Sequence, residues 1–403
     1  MTLVSQLRSG DLVSLTNPVS SGSLTVVLGK VINRGRSRIF EVQEYGSSIV
    51  ISSIVAKIYD NPGDIRPDLS QLVVLAAERK LDEITPVVRD RNQNFTPVST
   101  PLYTVCVDQR VVGVAMTRVP SRFVELSQLT ASDHAADLRI GVMAAFQLAR
   151  LVEEIHRRGF IVGDFSDNNV MVDEEGHVSL VDVDSYGVQA TRILPHGVTQ
   201  NWRAAEGRRQ PLSQRSDLFT LGIHCSALLF GGVGAFDGVD PAVDTSSPQH
   251  NIDANKSWLW DTSIQIPTAA RRSAGLRDLP NDLSTAVRSV LFHDPAERPQ
   301  DASSLVRALS NSLTMLEKQD CGHIAFTNVG CVQCRATPVL ASERVVGNSK
   351  NESGSTSDLA RSSAAVNSNQ RGSVSMTINN VVAVVAIVVF VALIIWGVVW
   401  LAG

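Results

Sequence analysis

Hydrophobic residues recur between Arg139 and Arg158 with the spacing of an amphipathic helix. The apolar positions lie four, four, three and four residues apart, which places them on one face of a helix, and they are Ile140, Ala144, Leu148, Leu151 and Ile155. Arg157 and Arg158 suit the last turn of this helix, and Gly159 suits its C-terminal cap. The pattern predicts a helix buried along one side.

Shorter apolar runs predict strands on both sides of this helix. Met171 to Val181 reads as two short strands around an Asp-Glu-Glu-Gly turn. Nearer the N-terminus, Ser23 to Val42 reads as two strands joined by a turn that holds Gly35, and Ile54 to Tyr59 reads as a further strand. The chain therefore mixes strands and helices in its first half.

Three polar residues stand at the ends of these elements with a suggestive spacing. Asn169 follows Asp164 by five residues, and Asp182 follows Asn169 by thirteen. The predicted hairpin brings Asn169 and Asp182 together, where the set can bind two Mg²⁺ ions and orient a hydroxyl group. Gly-Asp and Asn-Asn are also ordinary turn dipeptides, so a surface loop without function is the alternative interpretation.

The order of helix, loop, hairpin and second Asp resembles the catalytic and metal-binding loops of protein kinases. The strand Ile54 to Tyr59 is similar to the kinase strand whose Lys contacts the ATP α- and β-phosphates, which implies that role for Lys57. A charge among Ile, Val and Ala costs several kcal/mol to bury unless it is paired, so Lys57 requires a partner. The resemblance implies Glu78 on the following helix, with Asp68, Asp82 and Glu83 as alternatives.

Further segments extend the resemblance from about residue 20 to residue 315, and its nearest counterpart is a divergent bacterial protein-kinase-like group. Asn201 to Glu206, Arg215 to Gly222 and Asp294 to Pro299 resemble landmarks of the kinase C-terminal lobe. The resemblance implies an ion pair between Glu206 and Arg298, and an Asp217 that accepts backbone hydrogen bonds from the catalytic loop. It also implies an α+β, two-lobe fold, with residues 21–119 as the N-lobe and residues 120–316 as the C-lobe.

Several positions depart from the kinase pattern. Val162 and Gly163 replace His-Arg, Ser166 replaces a Lys, Val183-Asp184 replaces Phe-Gly, and the glycine-rich loop keeps one glycine, Gly35. Without the Arg, control by phosphorylation of the segment between residues 182 and 206 is disfavoured. Asp184 either binds a metal ion or caps a turn.

The resemblance implies an ATP- and Mg²⁺- or Mn²⁺-dependent serine/threonine protein kinase. In this prediction Asp164 orients the acceptor hydroxyl, Asn169 and Asp182 bind the metal ions, and Lys57 holds the phosphates. Gly35 and Glu78 complete the nucleotide site, and the substrate is a protein. The alternative is a nucleotide-binding pseudokinase that acts as a membrane scaffold.

A second cluster lies in residues 317–340, where three thiols and one imidazole occur within fourteen residues. Cys321 and His323 form one arm, and Cys331 and Cys334 form the other. This spacing is typical of a closed, structural Zn²⁺ site, and a protein partner is a further expectation for this module. The alternative is a redox pair at Cys331 and Cys334.

The C-terminal composition predicts a tether to a membrane. Residues 341–377 are rich in Ser, Asn and Gly and predict a flexible linker. Residues 378–403 contain the uncharged run Val381 to Ala402, whose twenty-two residues at about 1.5 Å each span the roughly 30 Å core of a bilayer. A buried core helix is the alternative. Arg361 and Arg371 precede the run, so the positive-inside rule predicts a single-pass protein of the cell membrane whose N-terminal bulk faces the cytoplasm.

Composition adds limits to these predictions. A net charge of −4 without a basic run argues against general nucleic-acid binding. Five cysteines, three of them at the predicted metal site, favour a reducing compartment, and Cys106 and Cys225 are predicted to be core residues. Residues 1–20 are predicted to be an N-terminal extension.

Overall fold

Alternating apolar residues in the first 120 positions form six antiparallel strands that close into a barrel. The computed structural model describes residues 6–34, 37–46, 49–86, 95–131, 137–197, 199, 202–243, 247–265 and 275–331. The strands follow the order β1-β2-β3-β4-β6-β5, and β1 also pairs with β5. Their bounds are β1 Leu12–Thr16, β2 Ser23–Arg34, β3 Ser37–Glu44, β4 Val50–Tyr59, β5 Pro101–Val107 and β6 Arg110–Thr117.

This barrel overturns the predicted two-lobe protein-kinase-like fold, which is wrong. The sheet has no free edge because β1 pairs with β2 on one side and with β5 on the other. The described residues hold only seven α-helices and belong to one compact unit, Met1–Leu340. The α+β class itself is confirmed. The predicted N-terminal extension, residues 1–20, contains β1, whose Val13 and Leu15 point into the barrel core.

The two-residue period of β4 explains why Lys57 faces away from the barrel interior. Ala56 and Ile58 belong to the core inside the barrel, whereas Val55 and Tyr59 belong to a separate apolar cluster outside it. Lys57 shares the outer face with them. Helix α1, Leu69–Glu78, contributes Leu69 and Val73 to that outer cluster, together with Val114 and Met116 of β6.

Gly113 allows β6 to lie close to β4 beside Lys57. A Cβ atom built at Gly113 would lie 2.0 Å from the backbone oxygen of Lys57, far inside any van der Waals contact. The strands pair here with Ile58 opposite Gly113 and Lys57 opposite Val114. Glycine is therefore required at this position for the backbone of Lys57 to be held in the sheet.

The second half of the chain is mainly helical, and the predicted amphipathic helix is confirmed. Helix α3 begins at Leu138, where Asp137 accepts a hydrogen bond from the Arg139 amide, and ends at Arg157, before a left-handed Gly159. Its apolar face packs into the main core. The other helices are α2 Leu126–Ala131, α4 Gln214–Leu229, α5 Pro248–Asp253, α6 Asn281–Val290 and α7 Ser303–Thr314.

Short strands connect these helices, and the predicted hairpin is among them. In that hairpin β9 and β10 pair with Val172 opposite Val178 and Val170 opposite Leu180, and β7 adds a third strand. The remaining two pairs are β8 with β11 and β12 with β13. The bounds are β7 Val124–Glu125, β8 Phe160–Ile161, β9 Val170–Val172, β10 Val178–Leu180, β11 Gly187–Val188, β12 Leu316–Lys318 and β13 Ile324–Phe326.

Two predicted polar contacts of the helical region are confirmed. Asp217, in the first turn of α4 and 1% exposed, accepts hydrogen bonds from the backbone amides of Val162 at 2.8 Å and Gly163 at 2.9 Å. Arg298 and Glu206 form a buried bidentate ion pair with N to O distances of 2.5 and 3.0 Å. The first contact fixes the loop that leads to Asp164.

Several predictions concern residues outside those the structure describes. Gly35, Cys334, the linker 341–377 and the apolar segment 378–403 all lie there. Within the described ranges, none of the helices combines the length and the apolar character needed to cross a membrane.

Candidate active site

A cavity of about 240 Å³ lies beside Lys57 and gathers polar residues from six separate parts of the chain. The contributing parts are strands β3 and β4, the segment between β4 and α1, the loop before β9, the turn after β10 and the segment that follows β11. The lining residues are Ser37, Lys57, Tyr59, Asp64, Arg66, Asp164, Asp182, Asp184, Ser185, His196 and Gly197. The structure thus brings the predicted residues Lys57, Asp164 and Asp182 together.

Lys57 forms its ion pairs with two carboxylates of the turn after β10. Its Nζ lies 2.8 Å from Oδ2 and 3.1 Å from Oδ1 of Asp184, and it also contacts Oδ1 of Asp182. Glu78, the partner implied by the resemblance, has an exposed side chain at the end of α1. The need for a charged partner was predicted correctly, but in the described structure Asp182 and Asp184 meet it.

Asp184 is held by a second residue of β4. The hydroxyl of Tyr59 donates a hydrogen bond to Oδ2 of Asp184, and both side chains are buried. Tyr59 follows Lys57 by two residues, so the strand period places both donors on one face. The Asp184 carboxylate is therefore fixed by β4, a role different from the two predicted for it, metal binding and turn capping.

A left-handed residue starts the turn that carries both carboxylates. Asp182 has φ 62° and ψ 35°, a conformation that non-glycine residues adopt uncommonly. The turn is held by Ser185, whose amide and hydroxyl both donate to the carbonyl of Asp182, at 2.9 and 2.7 Å. The strained geometry places Asp182 and Asp184 on the same side, against Lys57.

Asp164 and Asn169 lie in one loop and are joined directly. The Asn169 side-chain nitrogen donates to the carbonyl of Asp164 at 2.8 Å, which leaves its Oδ1 as the atom with which it would bind a cation. The backbone of Asn169 accepts a hydrogen bond from Val181, the neighbour of Asp182, at 3.0 Å. The confirmed hairpin therefore brings the two metal-ligand candidates side by side.

One oxygen of Asp164 is engaged and the other faces an opening. Oδ1 accepts a hydrogen bond from the Thr199 amide at 2.9 Å. Oδ2 faces Gly197, where even an added Cβ would lie 3.9 Å away. Because Gly197 has no side chain, a small group can approach Oδ2 from this side.

Close packing against Pro195 requires a glycine at position 163, a requirement that the sequence did not reveal. It adopts φ +74°, and a Cβ built on it would lie 2.3 Å from Cβ of Pro195. A Cβ on Gly187 would likewise lie 2.5 Å from Pro195. Pro195 therefore wedges between two glycines, which brings the segment with His196 and Gly197 over Asp164.

Arg66 connects the site turn to the same segment. Its guanidinium, buried before α1, donates to the carbonyls of Asp184 at 2.9 Å, Tyr186 at 2.7 Å and Leu194 at 2.9 Å. It also pairs with Asp68. Sequence reasoning missed Arg66, because its partners are backbone atoms more than 100 residues away and no local pattern marks them.

The pKa shifts of the site follow from burial and from these pairs. Burial alone would lower the pKa of Lys57, but Asp184 and Asp182 outweigh it and raise that pKa above its usual range. Burial would raise the pKa of Asp184, yet Lys57 and Tyr59 hold it below the ordinary value. Burial and the charge of Asp184 raise the pKa of Asp182. An added cation would therefore favour the charged form of Asp182.

A buried histidine supports the loop that carries Asp164. His224 of α4 lies 2.8 Å from the carbonyl oxygen of Phe165 and stacks on Trp202, with ring centroids 4.6 Å apart. Burial lowers the pKa of His224 to about 4, so the ring is neutral at pH 7 and donates its Nε2 proton. Beside it Cys225 is buried as predicted, whereas Cys106 on β5 is partly exposed.

The predicted zinc ligands form a separate cluster at the end of the described chain. Cys321, His323 and Cys331 each offer one ligand atom, and these atoms lie within 4.8 Å of one another. Cys334, and with it the alternative redox pair of Cys331 and Cys334, lies outside the described residues.

Comparisons with known proteins identify no family for this chain. No protein-family model matches it, and no curated protein matches it significantly. Together with the closed barrel, this shows that assignment to a divergent bacterial protein-kinase-like family is wrong. Any function must therefore be argued from the residues around Lys57.

Proposed function

We propose that this protein transfers the γ-phosphate of ATP to a hydroxyl group of a protein substrate in a reaction that depends on Mg²⁺ or Mn²⁺. One observation carries the proposal: Lys57, Asp164, Asp182 and Asp184 line a single cavity although more than 100 residues separate Lys57 from the three carboxylates. Cation, metal-ligand oxygens and a free carboxylate oxygen are the groups that phosphoryl transfer requires together.

The charge of the cavity supports a metal-nucleotide substrate. Four carboxylates, including Asp64, face two cationic side chains, Lys57 and Arg66, so the lining is negative. A polyphosphate would be repelled unless divalent cations accompanied it. Asp182 and the Oδ1 of Asn169 offer hard oxygen atoms that would hold Mg²⁺, and the ion would supply positive charge that neutralises the phosphates.

The residues divide the chemical work between them. Lys57, which Asp182 and Asp184 hold beside the cavity, would bind the α- and β-phosphates. The acceptor hydroxyl would lie against Oδ2 of Asp164, which receives its proton as the hydroxyl oxygen bonds to the γ-phosphorus and the bond from that phosphorus to the β-γ bridging oxygen breaks. The products are ADP and a phosphorylated protein. Ser and Thr are the proposed acceptors.

Incubation of the full chain with radiolabelled ATP and Mg²⁺ or Mn²⁺ tests this proposal. We expect phosphate transfer to the protein itself or to a general protein substrate, with a loss of at least 100-fold in Asp164→Ala and in Lys57→Met. Glu78→Gln serves as the matched control because this carboxylate is exposed on α1, and it should retain activity. Transfer that is equal in wild type and Asp164→Ala would refute the proposed role of Asp164.

A non-catalytic scaffold is the second candidate. The close contact of Lys57 with both Asp182 and Asp184 favours it, because the groups expected to bind phosphate and metal already neutralise one another. Such a protein would bind Mg²⁺ and a fluorescent ATP analogue without transferring phosphate. Binding lost in Lys57→Met, combined with no transfer by wild type, would select the scaffold.

We further propose that residues 378–403 anchor the protein in the cell membrane, with the cavity in the cytoplasm where ATP is available. The charge-free run from Val381 to Ala402 supports this proposal. Protease treatment of sealed, right-side-out and inverted vesicles tests it. Residues 6–331 should be digested only where the cytoplasmic face is accessible.

A further inference from the structure

The end of the hairpin β12–β13 collects three residues that bind soft metals. Cys321 and His323 lie in the connection between the two strands, and Cys331 follows the turn after β13. One ligand atom from each lies within 4.8 Å of the other two. We propose that these three residues bind one Zn²⁺ ion, independently of the cavity beside Lys57.

The geometry of the cluster agrees with tetrahedral zinc. Zinc bonds of about 2.3 Å to sulfur and about 2.0 Å to nitrogen, at a tetrahedral angle, place the two ligand atoms about 3.5 Å apart. The Sγ of Cys331 lies 3.5 Å from the Nδ1 of His323. The imidazole therefore presents Nδ1 to the ion, and the two thiols would bind as thiolates, releasing their protons when the metal enters.

The backbone turns hold the three ligands together. Gly322, with φ +84°, stands between Cys321 and His323, and Gly330, with φ +76°, directly precedes Cys331. The Gly322 amide donates to the carbonyl of Gln319 at 2.8 Å, which closes the first turn. Each turn thus has a left-handed glycine beside its cysteine, and the two sulfur atoms lie within 4.8 Å of each other.

The two ends of the hairpin differ in what holds them. Ala325 and Phe326 of β13 are buried, Phe326 in the main core, and the Thr327 amide bonds to the carbonyl of Met315 at 2.9 Å. Cys321 and His323 are exposed, so packing does not account for their proximity. Two strands of three residues are too short to be stable alone, and a metal ion would fix the exposed end.

A tetrahedral zinc ion takes four ligands, of which the described residues supply three. Cys334 is the residue that the sequence predicts for this position, and it lies outside the described residues. Four protein ligands are the arrangement of structural zinc, whereas a site with three protein ligands holds water in the fourth position. The proposal itself rests on Cys321, His323 and Cys331.

Zinc analysis of the full chain, purified under reducing conditions, tests the inference. We expect about one Zn²⁺ per chain, and at least a tenfold weaker affinity in Cys321→Ser and in Cys331→Ser. Cys106→Ser is the matched control, since this thiol lies on β5 in the barrel, and it should keep its zinc. Co²⁺ in place of Zn²⁺ should give the absorption of a tetrahedral thiolate complex.

Two outcomes would overturn the inference. One is a zinc content near zero in reduced wild-type protein that also fails to bind added Zn²⁺ or Co²⁺. The other is a disulfide between Cys321 and Cys331, found by mass spectrometry in protein purified without oxidant. Because both measurements use wild type, poor folding of a variant leaves the test intact, and neither depends on phosphate transfer.

Discussion

Replacing Asp184 by Asn should weaken both the fold and the proposed nucleotide site. The substitution keeps the size of the side chain but removes the charge that Lys57 and Tyr59 share. Loss of one partner of a buried ion pair costs about 3–5 kcal/mol. Lys57 keeps Asp182, so we expect a decrease of about 2–4 kcal/mol in the free energy of unfolding.

A double-mutant cycle of Asp184→Asn and Tyr59→Phe separates the contributions of the two groups that donate to Asp184, Lys57 and Tyr59. Tyr59→Phe removes one hydrogen bond to a charged group, which is worth about 1.5–3 kcal/mol, and leaves the ring in the apolar cluster beside α1. Because Asp184 accepts both bonds, the effects of Tyr59→Phe and Asp184→Asn should not add. The double variant should lose less unfolding free energy than the sum of the two single variants, by at least about 0.5 kcal/mol, the low end of the range of about 0.5–3 kcal/mol for residues in contact.

Urea denaturation of the full chain, followed by tryptophan fluorescence, measures these differences. Glu78→Gln is the control, and its free energy of unfolding should stay within about 0.5 kcal/mol of wild type because the side chain is exposed. The lowered pKa of Asp184 also predicts how stability depends on pH. The contribution of this carboxylate to the free energy of unfolding is present above its ordinary pKa and is lost as the pH falls through the folded-state pKa. An Asp184→Asn protein as stable as the control would refute the reasoning.

The remaining predictions concern packing and charge around the site. Folding lowers the pKa of His224 from 6.5 to about 4, so the free energy of unfolding of wild type should fall by about 3 kcal/mol between pH 6.5 and pH 4. The His224→Phe variant should not show this decrease. Curves of unfolding free energy against pH that run parallel for the two proteins would contradict the prediction. Gly113→Ala should lower the free energy of unfolding by about 1–3 kcal/mol, because the added Cβ would clash with the carbonyl oxygen of Lys57. Thermal or urea unfolding measures this. A variant as stable as wild type would show that β6 can shift to make room. Arg298→Leu should lower the free energy of unfolding by about 3–5 kcal/mol, because it leaves the charge of Glu206 buried without its ion-pair partner. The double variant Arg298→Leu, Glu206→Leu should recover part of this loss. If it recovers nothing, the bonds from Arg298 to backbone carbonyls contribute most of the stability.

Local patterns predicted the elements around the site well. The helix of Arg139 to Arg158, the hairpin between Asn169 and Asp182, and the strand of Lys57 depend on periodicities that neighbouring residues impose. In these three elements the residue types at each position restrict the structure strongly. The ion pair of Glu206 with Arg298 and the backbone bonds of Asp217 were expected only from the resemblance to protein kinases, because no local pattern marks their distant partners.

Contacts between distant parts of the chain were harder to predict. The five residues of β1 close the barrel only because β5, about 90 positions later, lies beside them, and nothing within Leu12 to Thr16 announces that partner. Likewise Lys57 has several carboxylates within reach by sequence, and only the left-handed turn at Asp182 decides in favour of Asp182 and Asp184. Burial and turn geometry determine these pairings, and no local sequence pattern encodes either of them.

The closure of the barrel by β1 has a consequence for solubility. A chain that began at residue 21 would lack Leu12 to Thr16 and would leave the unpaired edges of β2 and β5 open to solvent. Open edges pair with other chains and cause aggregation. The same loss would uncover Val26 and Leu28 in the barrel interior. Strand β1 thus covers these edges and protects the barrel from self-association. A protein without β1 should form oligomers or precipitate at concentrations where the full chain stays dispersed.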